Sequence, residues 1–165
     1  MVALLRGVNV GGNRKLPMQE LRETLSDAGY VDVRTHLQSG NVLLESRAKP
    51  ERVARELEEL LGVQVVMRTA AELADVIARD PLGHVATSGS RYFVTFLSGE
   101  PNDVPEPDDG DGELFVVSGR EIYSWLPGGS HNSRCAKLLT ERRLGVVPTT
   151  RNWNTVTKLL ELAQA

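Results

Sequence analysis

Residues 31–45 read V-D-V-R-T-H-L-Q-S-G-N-V-L-L-E, and the fold turns on how this stretch is paired. Val31, Val33, Thr35 and Leu37 alternate with Asp32, Arg34, His36 and Gln38, the period of two expected of a strand whose faces see different surroundings. Ser39 and Gly40 then make a tight connection to a returning strand over 42–45, which predicts a hairpin. On its N-terminal side, Met18, Leu21, Leu25 and Ala28 recur at spacings of three and four between Pro17 and Gly29, residues suited to opening and closing a helix. On its C-terminal side, Pro50 opens a second helix carrying Val53, Leu57, Leu60 and Leu61, and Gly62 stops it. Residues 2–8, apolar on consecutive positions, predict a strand buried on both faces, and 63–67 predict another. The order up to Arg68 is strand, helix, strand, strand, helix, strand, the split βαβ arrangement of ferredoxin-like folds.

Thr69 and Glu72 have the spacing of a capping box, and Leu73, Val76 and Ile77 make a short connecting helix that Pro81 ends. Beyond it the pattern predicts a strand over 92–97, a hairpin of 114–117 with 121–125 turned at Ser118 and Gly119, and a helix over 133–144 closed by Gly145. A strand over 146–150 and a last helix with Trp153, Val156, Leu159, Leu160 and Ala163 complete the reading. Each half has a Ser-Gly hairpin followed by a helix ending in Leu-Gly-Val, which suggests an internal duplication. The expected fold class is α+β, a ferredoxin-like half packed with a second, related α+β half. The expected boundaries are 1–69, a helical connector 70–90, and 91–165. Where the first half has its first helix, residues 99–113 hold three prolines, four Gly or Asn and seven carboxylates, so a mobile surface loop is expected instead. Asp108, Asp109 and Asp111 lack the spacing and terminal Glu of an EF-hand loop and are read as solvated charge.

Composition narrows the function classes. The 165 residues are 41% apolar and 25% charged with a formal charge of -3, an ordinary globular balance without an overall basic field, so any nucleic-acid contact would need a local patch. No apolar run approaches the ~20 residues that span a bilayer, and the opening residues lack the pattern of a secretory leader. The lone Cys135 excludes an internal disulfide and fits a reducing compartment, so a cytoplasmic location is expected.

Two stretches carry unusual chemistry. Residues 6–15, R-G-V-N-V-G-G-N-R-K, take an apolar strand into glycines flanked by polar and basic side chains just before a helix. Glycines let backbone N–H groups approach an anion, and a helix start adds positive potential. The stretch matches neither a P-loop nor the dinucleotide fingerprint, and a plain tight turn is the competing reading. Residues 149–155, T-T-R-N-W-N-T, abut the final helix; Asn152 or Asn154 could cap it, and Trp153 could anchor a core or offer a stacking surface. Cys135 near a helix start with His131 four residues before it is a reactive-thiol candidate, weighed against a small packing residue. The three histidines have no zinc spacing, and no metal or cofactor is assigned.

The opening L-L-R-G-V-N-V-G-G-N-R-K-L-P-M-Q-E-L-R, the L-Q-S-G-N-V of 37–42 and the T-T-R-N-W-N-T-V of 149–156 together resemble the bacterial family catalogued as domain of unknown function 1697. The resemblance implies a two-subdomain α+β protein of ferredoxin-like character, and it brings candidate positions rather than an activity. Carried onto this chain, these are Arg6, Asn9, Gly11, Gly12, Gln38, Ser39, Asn41, Arg151, Asn152, Trp153 and Asn154. Lys15 joins them from the glycine stretch. Residues 130–137, S-H-N-S-R-C-A-K, depart from the simpler small and basic pattern of the family.

The expectation is a binding protein for an anionic or nucleotide-like ligand, with nucleic acid as one form of it, in which Arg6, Asn9 and Arg151 donate and the two chain ends converge. A nucleic-acid form would draw on Tyr92, Phe96, Tyr123 and Trp125 sharing one sheet face, where core packing is the competing use. A small hydrolase or transferase using the same polar groups, and an oligomerising module forming a homodimer, are the other classes; no membrane partner is expected.

Overall fold

In a computed structural model of the chain, which describes residues 1–12, 14–104, 106 and 110–165, strand β1 (Val2–Leu5) lies between β3 (Asn41–Glu45) and β4 (Val65–Arg68). With β2 (Val31–His36) on the edge, the antiparallel order is β2-β3-β1-β4, the ferredoxin-like order that the hairpin predicts. Helices α1 (Met18–Asp27) and α2 (Pro50–Leu61) cover one face. Ala3, Leu5, Val42, Leu44 and Val65 meet Leu21, Leu25, Val53 and Leu57 in one core. A fully buried Leu or Val side chain contributes about 1.5–3 kcal/mol, so this layer dominates the unit's stability. Val2, Leu4, Leu43 and Val66, on the other face, are also buried, as the consecutive apolar runs require.

Two features of this unit depart from simple alternation. β1 ends at Leu5 rather than running to Val8, because Gly7 at φ 69 and Asn9 at φ 55 turn the chain, although Val8 still reaches the core. The β2–β3 register breaks between Val31 and Arg34, with Asp32 at φ 53; the bulge leaves Val31 63% exposed while Val33 packs on the core.

Helix α3 (Ala70–Arg79) opens with the expected capping box, Thr69 N–H donating to Glu72 Oε2 at 2.8 Å and Glu72 N–H to Thr69 Oγ1 at 3.1 Å. The second sheet contains β5 (Tyr92–Leu97), β6 (Leu114–Ser118), β7 (Glu121–Trp125) and β8 (Pro148–Asn152) in the order β6-β7-β5-β8. Strand for strand this repeats the first sheet, with β5 to β8 in the places of β1 to β4. Between β5 and β6, where the first sheet has α1, the described residues hold only a 3-10 turn, Gly110–Gly112. Asp108 and Asp109 lie outside the described residues.

The expected single helix over 133–144 is two short ones, α4 (Arg134–Leu138) and α5 (Glu141–Leu144). Ser133 caps the first, and Thr140 interrupts and caps the second by accepting from Arg143 N–H at 3.3 Å. β8 starts two residues later than expected, because Ser98 takes both the N–H and the C=O of Val147 before the ladder begins at Pro148. Helix α6 (Trp153–Gln164) ends the chain. Two compact units result, Met1–Leu73 with Leu159–Ala165, and Ala74–Lys158. In the first, Arg34 donates to the Leu162 carbonyl at 3.0 Å. Among the described residues no helix is long and apolar enough to cross a membrane.

Candidate functional site

The glycine stretch and the β2–β3 turn meet through one side chain. Asn9 Nδ2 donates to the Leu16 carbonyl and to the Gln38 carbonyl, and its Oδ1 accepts from Leu16 N–H, each at 2.7 Å. Its own N–H donates to Arg14 O at 2.8 Å, closing the loop. Asn tolerates the left-handed conformation better than most residues, which suits φ 55. The amide of Asn9 is therefore a latch between the approach to α1 and the hairpin turn. On the hairpin side, Gly40 at φ 90 brings its backbone against the core, where a Cβ would lie 2.8 Å from Leu5 Cβ and 2.9 Å from Val8 Cγ2.

The latch frames a hollow of about 420 Å³. Its polar lining is Asn9, Gly12, Lys15 and Gln38, four of the residues singled out in the sequence, and its apolar lining is Leu16, Pro17 and Met18. Gly11 and Gly12, both with positive φ, form the turn, and no side chain caps the start of α1, which leaves the positive end of the helix dipole there. Among the described residues the Lys15 ammonium, which is exposed, has no carboxylate or hydrogen-bond partner. The other candidates of this unit serve it differently. Arg6 donates to Gln64 Oε1 at 2.7 Å. The fully buried Asn41 donates to the His36 carbonyl at 2.8 Å and to Ser39 Oγ at 3.2 Å, holding the turn.

Arg151, Asn152, Trp153 and Asn154 belong to the second unit, and the hollow is lined by first-unit residues alone. Arg151 is 8% exposed; it donates to Thr149 Oγ1 at 2.8 Å and to the Thr150 carbonyl at 2.9 Å. Burial disfavours its charged form and pushes the guanidinium down to about 10. Asn152 Oδ1 accepts from Thr155 N–H at 2.9 Å, the capping role open to it from sequence. Trp153 stacks on Tyr92, ring centroids 4.6 Å apart, and Asn154 N–H donates to the Gly89 carbonyl at 3.4 Å.

Tyr92, Phe96 and Tyr123 are buried, and their register with Trp125 puts all four on one face of the second sheet. Tyr123 donates to the Val76 carbonyl of α3 at 2.7 Å, and Tyr92 to Asp80 Oδ1 at 2.9 Å. Arg79 of the same helix pairs with Glu121. The buried rings are a packed layer and give no open stacking platform. Cys135 is likewise buried, its N–H donating to Glu113 Oε2 at 3.0 Å, which fits packing rather than a reactive thiol.

A second hollow of the first unit, about 650 Å³, was not foreseeable from motifs; Tyr30, Glu45, Arg47 and Glu56 are among its lining. Within it Tyr30 donates to Glu56 at 2.7 Å, and Arg52 donates to the same carboxylate at 2.9 Å. Burial and that hydrogen bond push the Tyr30 phenol up to about 12.

Two sheets of one strand order define a repeated ferredoxin-like α+β protein. Residues 1–123 match the model of the family described as "Protein of unknown function (DUF1697)", and the chain belongs to that family. The third motif, 149–156, lies beyond the matched span. A solved structure described as a conserved bacterial protein, SP0830 from Streptococcus pneumoniae, superposes with a TM-score of 0.70 at 20% identity, covering 98% of this chain and 97% of that one. At that identity the likeness is one of fold. No curated protein matches the sequence significantly.

Proposed function

We propose that this protein binds an anionic, nucleotide-like ligand in the hollow framed by Asn9. The observation that carries the reading is the Lys15 ammonium, without a partner among the described residues, at a cavity with an apolar wall of Leu16, Pro17 and Met18. A cation and the open start of α1 suit a phosphate or carboxylate, while the apolar wall suits a ring or a short chain attached to it. Backbone N–H groups at Gly11 and Gly12 can approach an anion without a Cβ in the way. The volume of about 420 Å³ is in the range of small-molecule sites. Arg151 and its neighbours, engaged within their own unit, are not needed for it. The nucleic-acid form of the reading draws no support from the buried aromatic layer of the second sheet.

The test is a thermal-shift and calorimetric titration with inorganic phosphate, adenosine monophosphate and adenosine triphosphate, on wild type and Lys15→Glu. Saturable binding that the variant loses is expected. Binding unaffected by Lys15→Glu, or none by any probe, would end the proposal. Turnover of a bound probe would recast the same hollow as an active site.

A further inference from the structure

Each sheet has two edge strands, and three of the four are defended against pairing with another chain. β2 is broken by its bulge and carries Asp32, Arg34 and His36. β4 is wholly buried, with Glu58 Oε1 accepting from Val65 N–H at 3.0 Å. β8 opens with Pro148 and carries Arg151. β6, L-F-V-V-S, has no charge, no proline and an unbroken register with β7. It occupies the place that β2 has in the first sheet, without the devices found there. Leu114 at its start, 40% exposed, is also the one large apolar side chain left exposed among the described residues of the second unit.

The hairpin determines which backbone groups face outward. A connection of only Gly119 and Arg120 makes Ser118 and Glu121 a hydrogen-bonded pair, and strict alternation makes Val116 and Leu114 bonded partners of β7 as well. The N–H and C=O groups of Phe115 and Val117 therefore point away from β7. Among the described residues no hydrogen bond outside the ladder reaches either residue.

We infer that β6 is a pairing edge for a second copy of this chain, the two β6 strands running antiparallel about a two-fold axis at Val116. In that register Phe115 lies opposite Val117 of the copy and Val117 opposite its Phe115, so the outward donors and acceptors of both strands find one another. An uncharged strand meets itself without repulsion. In this register Arg120, just past one β6, faces Gly112 of the copy, one position from Asp111, whose side chain is 72% exposed and makes a 4.0 Å contact to Arg134 of its own chain. Leu114 would be covered alongside Ser118 of the copy. Such a contact is closed, since each chain offers one such edge, so it gives a dimer and not a fibre.

Sedimentation velocity of the full chain from low to high micromolar concentration, with amide exchange on the wild type, tests this directly. A dimer is expected, with the Phe115 and Val117 amides protected at high concentration and exchanging freely on dilution. Leu114→Lys places a charge at the seam, and Val117→Pro removes an outward donor; each is expected to sediment as a folded monomer. A wild-type chain that stays monomeric would overturn the inference, as would a dimer that leaves both amides unprotected or survives both folded variants. Should either variant fail to fold, the wild-type exchange pattern decides.

Discussion

Replacing Asn9 by Ala removes the latch and leaves its backbone in a conformation that Ala resists. Three hydrogen bonds of 2.7 Å are lost, two donated to carbonyls of Leu16 and Gln38 and one accepted from Leu16 N–H. Each contributes about 0.5–1.5 kcal/mol net, toward the lower end here because one lies at an exposed position where water replaces the partner. Holding Ala at φ 55 adds about 1 kcal/mol or more. The sum is a loss of about 2.5–4 kcal/mol, a large share of the 5–15 kcal/mol typical of a domain. Asn9→Gly separates the two contributions, since Gly accepts the conformation and loses only the bonds; it should recover about 1 kcal/mol relative to Ala. Urea unfolding followed by far-UV circular dichroism measures both, and native-state exchange at the Leu16 amide reports the latch itself. If Asn9→Ala unfolds within about 0.5 kcal/mol of wild type, and the Leu16 amide exchanges no faster, the latch is not what holds the loop to the hairpin.

Gly40→Ala should cost about 2–5 kcal/mol in the same assay, from a left-handed φ of 90 and a Cβ forced within 3 Å of Leu5 and Val8; a cost below 1 kcal/mol would show that the turn relaxes freely. Glu113, 5% exposed, accepts from Ser133 Oγ at 2.8 Å and from Cys135 N–H. Burial alone would raise its pKa, but hydrogen bonds from Cys135, Ser133 and the Arg134 amide outweigh it and hold the carboxyl below its ordinary value. Its contribution is thus present above the unfolded value near 4.5 and lost as pH falls through the depressed folded value. Glu113→Gln should lower stability by about 1.5–3 kcal/mol at neutral pH and flatten the acid limb of the stability curve; an unchanged acid limb would contradict this assignment.

Much of the architecture was legible because it follows from local rules. The i, i+3, i+4 spacing of Leu21 and Leu25, and the stops at Gly29 and Gly62, each correspond to an observed boundary within a residue or two. Where the reading failed, a side chain had captured the backbone: Thr140 divided one expected helix into two, and Ser98 delayed β8. The bulge at Asp32 depends on pairing with β3, which alternation along one strand does not encode. At the site, Asn9, Gly12, Lys15 and Gln38 could be picked out as unusual, but their division of labour could not. That Asn9 spends its amide on Leu16 and Gln38 depends on a contact across 29 positions, visible only once the hairpin and the α1 approach are placed together. Arg151 looked like a donor from its company, yet its place on β8 opposite Val94 buries it.

The proposed function depends on the first unit's hollow being where a ligand is held. Heteronuclear NMR titration of the labelled chain with adenosine monophosphate, with adenosine as the uncharged control, tests it residue by residue. Saturable shifts concentrated at the amides of Gly11, Gly12, Lys15 and Gln38, weaker with adenosine, are expected. Shifts confined to other parts of the chain, or equal responses to the charged and uncharged probes, would contradict it.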